Sequence, residues 1–146
     1  MVDFQAVDIL LAEDSDADAE MTVRALRRGH VDGLLTRVHD GVEALDFIFR
    51  RGVFAARAPG KPRLILLDLK MPRMDGVDVL RRLKSDPDAR TIPVVMLTSS
   101  AEEQDIARCY GLGVNSYLVK PVESQEFTDV VYRAGLYWAA LNRVPR

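Results

Sequence analysis

The stretch Leu64-Ile65-Leu66-Leu67-Asp68 decides the fold, because four apolar residues in a row end in one carboxylate. Short, near-continuous apolar runs of this kind are typical of buried strands in a parallel sheet. Three other runs have the same form, and each is also followed by a charged or hydroxyl-bearing side chain. They are residues 7–12 before Glu13-Asp14, residues 94–97 before Thr98, and residues 116–119 before Lys120.

Helical patterns separate these runs and predict an alternating α/β chain. The strands are predicted at residues 7–12, 34–39, 64–67, 92–97 and 115–119. The first helix is predicted to follow residues 13–15 and to end at about Arg28, with Ser15 or Asp16 as its cap. The other helices are predicted at about residues 42–51, 77–85, 102–110 and 124–142. Strict alternation implies right-handed crossovers and a three-layer sandwich. Residues 52–62 are long for such a connection and predict a surface loop, so residues 1–146 are expected to form one domain with a core at about 7–142.

The length and composition of the chain limit the classes of function that it can have. The 146 residues suit one domain, and 48% hydrophobic with 29% charged residues is ordinary for a globular protein. A net charge of −2 does not produce a broad positive electrostatic potential, so we expect no nucleic-acid partner. No apolar run approaches the ~20 residues of a membrane helix, and the first residues do not resemble a signal peptide. The single cysteine, Cys109, cannot form an internal disulfide, which favours the cytoplasm.

The polar residues at the strand ends are expected to meet. In an open parallel α/β sheet, functional groups gather at the carboxyl ends of the strands. Glu13, Asp14 and Asp68 would then lie close together, where three ionised carboxylates repel one another. Mg²⁺ would remove that repulsion, and the absence of histidine or cysteine from the cluster argues against zinc or copper. Solvated strand-end acids without a metal are the alternative.

Thr98 and Lys120 extend this chemistry toward phosphoryl transfer. A strand-end carboxylate such as Asp68 can attack phosphorus and form an acyl phosphate, while a lysine and a hydroxyl bind the phosphoryl oxygens. The chain lacks G-x-x-x-x-G-K-[ST], and Leu69-Lys70 follow Asp68 where a second catalytic aspartate would be expected. We therefore expect acceptance of a phosphoryl group from another protein and its slow loss to water. A phosphorylation-independent adaptor and a metal-dependent hydrolase are the competing interpretations.

Four stretches of the chain resemble the receiver domain of two-component response regulators. They are residues 10–14, 66–76, 93–98 and 117–121, with the sequences LLAED, LLDLKMPRMDG, PVVMLT and YLVKP. The resemblance implies a flavodoxin-like (βα)5 fold whose five parallel strands have the order 2-1-3-4-5. It also implies a signalling protein rather than an enzyme, whose only catalysis is its own phosphorylation and dephosphorylation.

The resemblance implies a role for each acidic residue of the cluster. Asp68 would be the phosphoacceptor. Mg²⁺ would be held by the carboxylates of Glu13, Asp14 and Asp68 together with the backbone carbonyl of Lys70.

The remaining site residues would contact the phosphoryl group or report it. Thr98 and Lys120 would contact the phosphoryl oxygens, as catalytic partners of the phosphoacceptor. Thr98 would also shift toward the phosphoryl group, and Tyr117 would swing inward behind it, so that the two form a switch. The resemblance further implies a cis peptide bond between Lys120 and Pro121, with a trans bond in an ordinary loop as the alternative.

A finer resemblance is to the single-domain regulators paired with bacterial phytochromes. It rests on residues 13–18, the long loop ending near Pro62, residues 97–101 and residues 135–138. It implies a sensor histidine kinase as the partner, with a bacterial phytochrome as the hypothesis for its identity. Only residues 143–146 follow the last predicted helix, so no output domain is expected and the signal would be a changed surface.

The last predicted helix carries more apolar residues than one face requires. Its sheet-facing stripe is predicted to contain Phe127, Val130, Val131, Ala134, Trp138 and Leu141. Tyr132, Leu136 and Tyr137 cannot all share that stripe, and they predict a homodimer through the fourth helix, the fifth strand and the fifth helix. The alternative is that the long surface loop covers these rings with Phe54.

Overall fold

The computed structural model describes residues 8–31 and 34–145. The strands are β1 (Asp8–Ala12), β2 (Leu34–Val38), β3 (Leu64–Leu67), β4 (Val94–Thr98) and β5 (Ser116–Val119). The helices are α1 (Asp16–Arg28), α2 (Gly41–Phe49), α3 (Gly76–Ser85), α4 (Glu103–Gly111) and α5 (Ser124–Gly135). The predicted alternation is confirmed, with most bounds shifted by one or two residues. Val7, which was predicted to open the first strand, lies outside the described residues.

The five strands form one parallel sheet in the order β2-β1-β3-β4-β5, so the predicted flavodoxin-like topology is confirmed. All four residues of β3 are buried, as their unbroken apolar run predicts. Ala12 pairs with Leu67 across the sheet, and the N–H of Asp68 donates to the carbonyl of Ala12 over 3.0 Å. This register places Glu13 and Asp68 at the same edge of the sheet.

Two apolar layers enclose the sheet. One combines buried residues of α1 and α5 with one face of the strands, and the other combines α2, α3 and α4 with the opposite face. Cys109 of α4 is fully buried in the second layer, and burial raises the pKa of its thiol. A buried thiol whose pKa is raised is typical of a structural rather than a reactive cysteine.

Side-chain caps begin three of the helices that follow the strands. Ser15 Oγ accepts a hydrogen bond from the N–H of Asp18 at the start of α1. Asp40 and Asp75 accept the corresponding bonds at the starts of α2 and α3. Such caps satisfy backbone donors that a helix end leaves free, and each is typically worth about 1 kcal/mol.

The predicted inner stripe of the last helix is wrong at Leu141, whereas Trp138 of the stripe packs against the layer of α1 and α5, as do Tyr132 and Leu136, which were predicted to lie outside it. The buried positions of this segment are Phe127, Val131, Gly135 and Ala139, whereas Leu141 is 64% exposed. The cause is that α5 ends at Gly135 and continues as a π-helix over Leu136–Leu141. A π-helix takes more residues per turn than an α-helix, so the phase of the inward-facing positions shifts.

The long surface loop does not cover the rings of the last helix. It contains a short 3₁₀ turn at Gly52–Phe54, and the Phe54 ring packs edge-on against Phe47 of α2 with 5.2 Å between ring centroids. Phe54 therefore belongs to the layer of α2, α3 and α4, on the opposite side of the sheet from α5. The alternative that assigned Phe54 to those rings is wrong.

Candidate functional site

The carboxyl edge of the sheet brings the predicted acids together. Glu13 and Asp14 follow β1, Asp68 follows β3, and their carboxylate oxygens lie within 4.8 Å of one another. Glu13 and Asp68 are buried, whereas Asp14 is exposed. Three hard oxygen donors that face one another, one of them open to solvent, fit a divalent cation such as Mg²⁺ or Mn²⁺. We call Glu13, Asp14 and Asp68 the acid trio.

Lys120 extends into this cluster from the end of β5. Its ammonium Nζ lies 2.6 Å from Glu13 Oε1, 2.8 Å from Asp18 Oδ2 and 3.2 Å from Asp68 Oδ2. The side chain is only 8% exposed, so these contacts are largely shielded from water. Charge-assisted hydrogen bonds of this kind are stronger than neutral ones.

Burial and nearby charges shift the pKa values of both Glu13 and Lys120, the partners of the 2.6 Å contact. Burial, together with the nearby charge of Asp68, raises the pKa of Glu13 to about 7, although the hydrogen bond from Lys120 opposes that rise. Burial disfavours the charge of Lys120, but its bonds to Asp18 and Glu13 and the charge of Asp68 outweigh burial and raise its pKa above the ordinary value. Lys120 is therefore a fixed cation, whereas Glu13 holds its negative charge at a cost that a bound cation would relieve.

Asp18 is the member of this cluster that sequence reasoning missed. From the sequence alone, Asp18 is only an acid that suits the positive first turn of α1. The structure places its carboxylate on Lys120 instead, with the side chain 30% exposed. A sequence signal existed, because Asp18 lies about one helical turn beyond the Glu13-Asp14 pair, but it does not reveal the contact with a lysine 102 residues away.

Thr98 and Tyr117 are joined through Ser100. Thr98 is buried at the end of β4, and its Oγ1 accepts a hydrogen bond from the N–H of Ser100 over 3.3 Å. The Tyr117 hydroxyl donates to the carbonyl of Ser100 over 2.9 Å, and burial raises the pKa of that hydroxyl. Ser100 Oγ in turn donates to Asp105 of α4, which also accepts a bond from Arg108. The threonine and the tyrosine thus contact the same loop residue, which is tied to α4.

The loop between β3 and α3 folds back tightly beside Asp68. The N–H of Gly76 donates to the carbonyl of Leu69 over 2.7 Å, and a Cβ atom at Gly76 would clash with the Asp68 carbonyl oxygen. Only glycine fits this close approach, which accounts for the end of the D-x-x-M-P-x-M-D-G stretch. Lys70 lies in this loop with an exposed side chain.

The peptide bond between Lys120 and Pro121 is trans, as are the other peptide bonds of the described residues. The cis bond implied by the resemblance is therefore wrong for this structure. Trans is also the form that an X–Pro bond favours, by about 0.5–1 kcal/mol. Lys120 is held in place by its own contacts, since its N–H donates to the Thr98 carbonyl over 2.7 Å.

No helix within residues 8–31 and 34–145 combines the length and the apolar character that crossing a membrane requires.

Comparisons with known proteins agree with this geometry. The family "Response regulator receiver domain" matches residues 9–132. The response regulator Rcp1 of Synechocystis sp. is 37% identical over 137 residues, which cover 94% of this chain and 92% of Rcp1.

Solved structures give the same result. The phosphorylated cyanobacterial phytochrome response regulator RcpA is 36% identical, with a TM-score of 0.89 over 96% of this chain and 99% of RcpA. The Mn²⁺-bound form of Rcp1 is also 36% identical, with a TM-score of 0.89 over the same shares of the two chains. These matches extend from the first strand to the last helix and include the edge that carries the acid trio. The chain therefore belongs to the response regulator receiver domain family, and it is similar to the regulators that work with phytochromes.

Proposed function

We propose that this receiver domain accepts a phosphoryl group on Asp68 from the phosphohistidine of a sensor histidine kinase. In this step an Asp68 carboxylate oxygen bonds to phosphorus, the P–N bond to the donor imidazole breaks, and an acyl phosphate forms. The observation that carries the proposal is the position of Asp68, because its carboxylate lies 3.2 Å from the Lys120 ammonium and faces Glu13 and Asp14. Water would later hydrolyse the acyl phosphate, so that the only catalysis is the protein's own dephosphorylation.

The acid trio is proposed to hold Mg²⁺, with the backbone carbonyl of Lys70 as a further ligand. The support is the chemistry of the donors, which are hard oxygens, and the pKa of Glu13, which burial and the charge of Asp68 raise and which a bound cation would lower. The similar protein Rcp1 has been solved in a Mn²⁺-bound form. When bound, the cation would neutralise oxygens of the transferring phosphoryl group. Lys120 would bind another of these oxygens and Thr98 a third.

Thr98 and Tyr117 are proposed to convert phosphorylation into a changed surface. For Thr98 to turn toward a phosphoryl group, its Oγ1 must release the N–H of Ser100. The Tyr117 hydroxyl holds the carbonyl of the same residue, and Ser100 Oγ holds Asp105 of α4. A movement of Thr98 would thus reach α4 through contacts that already exist in the fold.

The phytochrome regulators among the relatives support a bacterial phytochrome as the kinase partner. A phosphotransfer panel tests this partner, since clear preference for a kinase that is not a phytochrome would refute it. We also propose the cytoplasm as the site of action, which agrees with the buried free thiol of Cys109.

A homodimer through α4, β5 and α5 is the proposed form of association. β5 is an edge strand, and large apolar side chains are exposed around it, namely Tyr110 of α4, Val119 of β5 and Val122. Val122→Asp should weaken a dimer measured by light scattering, because it places a charge in an apolar contact. Val53→Asp, a change at an exposed valine of the surface loop, is the matched control. A monomer at every concentration, with and without a phosphoryl analogue, would exclude the dimer.

Intact-mass measurement after incubation with a small acyl phosphate and Mg²⁺ tests the phosphoacceptor itself. We expect one labile phosphoryl adduct, absent in Asp68→Asn and retained in the control Asp78→Asn, whose carboxylate pairs with Arg81 on the surface of α3. No adduct on the unmodified chain would favour the phosphorylation-independent adaptor. Rapid multiple turnover of the acyl phosphate would favour a hydrolase.

A further inference from the structure

Asp18 is a fourth carboxylate at the site, and the roles proposed above leave it without a function. Its Oδ2 lies 2.8 Å from Lys120 Nζ, which is closer than the 3.2 Å that separates Nζ from Asp68. The ammonium therefore lies nearer to α1 than to the proposed phosphoacceptor. Asp18 is also the most exposed of the three acceptors, at 30% of its side chain.

The donors of Lys120 are fully used in this arrangement. A lysine ammonium has three N–H donors and no acceptor. Glu13, Asp18 and Asp68 each lie within hydrogen-bonding distance of Nζ, one for each donor. For Lys120 to contact a phosphoryl oxygen, at least one of these three bonds must be released.

The three acceptors differ in what can release them. Glu13 and Asp68 belong to the acid trio, where a cation would compete with Lys120 for their oxygens. Asp18 does not belong to the trio, so its hold on Lys120 does not depend on a cation. Asp18 is also fixed by the backbone of α1, since its N–H donates to Ser15 Oγ and its carbonyl accepts from Thr22 Oγ1 over 2.8 Å.

We propose that Asp18 is a positioning residue that holds Lys120 toward α1 and competes with the phosphoryl group for its ammonium. This inference rests on the proposed function of Asp68. Asp18 does not touch the transferring group; it acts through Lys120. Its carboxylate would thereby set how strongly the site binds a phosphoryl group, and removal of that carboxylate would strengthen the binding.

Beryllofluoride, a mimic of a phosphoryl group on aspartate, tests the proposal by calorimetric titration in saturating Mg²⁺. Asp18→Asn should bind beryllofluoride about tenfold more tightly, which corresponds to about 1.4 kcal/mol. Asn is isosteric and keeps the backbone bonds of Asp18, so α1 should remain folded. Glu20→Gln is the matched control, because it removes a carboxylate from the same helix that pairs with Arg24 and not with Lys120; its affinity should not change.

Two further measurements separate this role from a merely structural one. Asp18→Glu restores a carboxylate and should return the affinity to within about threefold of the parent value. In a Lys120→Met background, Asp18→Asn should no longer alter the affinity, since the proposed competition requires the ammonium.

The outcomes also separate this inference from the proposed function. Unchanged or weaker binding in Asp18→Asn, equal tightening in Glu20→Gln, or an effect that persists without Lys120 would each overturn the role of Asp18 alone. If the parent protein binds no beryllofluoride in Mg²⁺, the proposed function itself fails, and the competition at Asp18 fails with it.

Discussion

Glu13→Gln is expected to stabilise the ion-free protein above neutral pH while it weakens the proposed cation site. Burial and the charge of Asp68 raise the pKa of Glu13 from the ordinary value of 4.5 to about 7. Between these two values the folded protein binds a proton that the unfolded chain has released. Stability must therefore fall as the pH rises across this window. Glutamine keeps an acceptor for Lys120 and carries no charge at any pH.

The size of the effect follows from the two pKa values. Each pH unit between them changes the free energy of unfolding by about 1.4 kcal/mol, so the whole window is worth roughly 3 kcal/mol. Glu13 is 1% exposed, so solvent screening does not reduce this figure appreciably. The stabilisation that comes from the proton bound by folded Glu13 is fully present below pH 4.5 and is lost as the pH rises above about 7. The stability of Glu13→Gln minus that of the parent should therefore rise by roughly 3 kcal/mol from pH 4.5 to pH 8.

Urea unfolding followed by circular dichroism, with a chelator present, measures this difference. Titrating groups far from the site affect both proteins alike, so the difference reports on Glu13 together with Lys120 and Asp68, the charged groups that interact with it. Glu20→Gln, at an exposed glutamate paired with Arg24, should show no such trend. Added Mg²⁺ should stabilise the parent more than Glu13→Gln, because a cation favours the deprotonated carboxylate. Stability curves of Glu13→Gln and the parent that run parallel from pH 4.5 to pH 8 would refute the reasoning.

Three other substitutions test the scaffold of the site by urea unfolding. Gly76→Ala should lower the free energy of unfolding by about 1–3 kcal/mol, because the new Cβ meets the backbone of Asp68. Gly111→Ala, with open space around it, is the control and should be neutral or stabilising by up to about 1 kcal/mol. Equal effects of the two substitutions would contradict the close approach at Gly76. Ser15→Ala should cost about 1 kcal/mol through loss of the α1 cap, and an unchanged midpoint would mean that water replaces the cap. Tyr117→Phe should cost about 0.5–1.5 kcal/mol through loss of its hydrogen bond to the loop after β4, and no loss would show that this bond contributes nothing net.

The fold could be predicted because its signals are local. The apolar run of β3 and the similar runs of β1 and β4 identify buried parallel strands, and the strand ends then place Glu13, Asp14 and Asp68 at one edge. Caps such as Ser15 lie where the strand-to-helix turns require a side-chain acceptor. These features depend on neighbouring residues and on the period of the pattern, and a sequence displays both directly.

The phase of the last helix could not be predicted in the same way. The sequence predicts an apolar stripe at α-helical spacing as far as Leu141, but the backbone changes to a π-helix after Gly135. A Cβ atom at Gly135 would meet the Leu26 side chain of α1, so the two helices pack closely at this glycine. Helix packing thus decides which residues face inward. The spacing of apolar residues alone does not reveal a change from an α-helix to a π-helix.

Lys120 shows why the chemistry of a site is harder to predict from sequence than the residues that form it. The sequence places a lysine near three acids, but its reactivity depends on which acid takes its donors. Asp18, on another element, lies closer to the ammonium than Asp68 does. Four carboxylates, those of the acid trio and Asp18, face one ammonium at this edge, and the site has a surplus of negative charge that disfavours a phosphoryl anion. Phosphorylation of such a site should therefore depend on a bound cation that offsets this surplus.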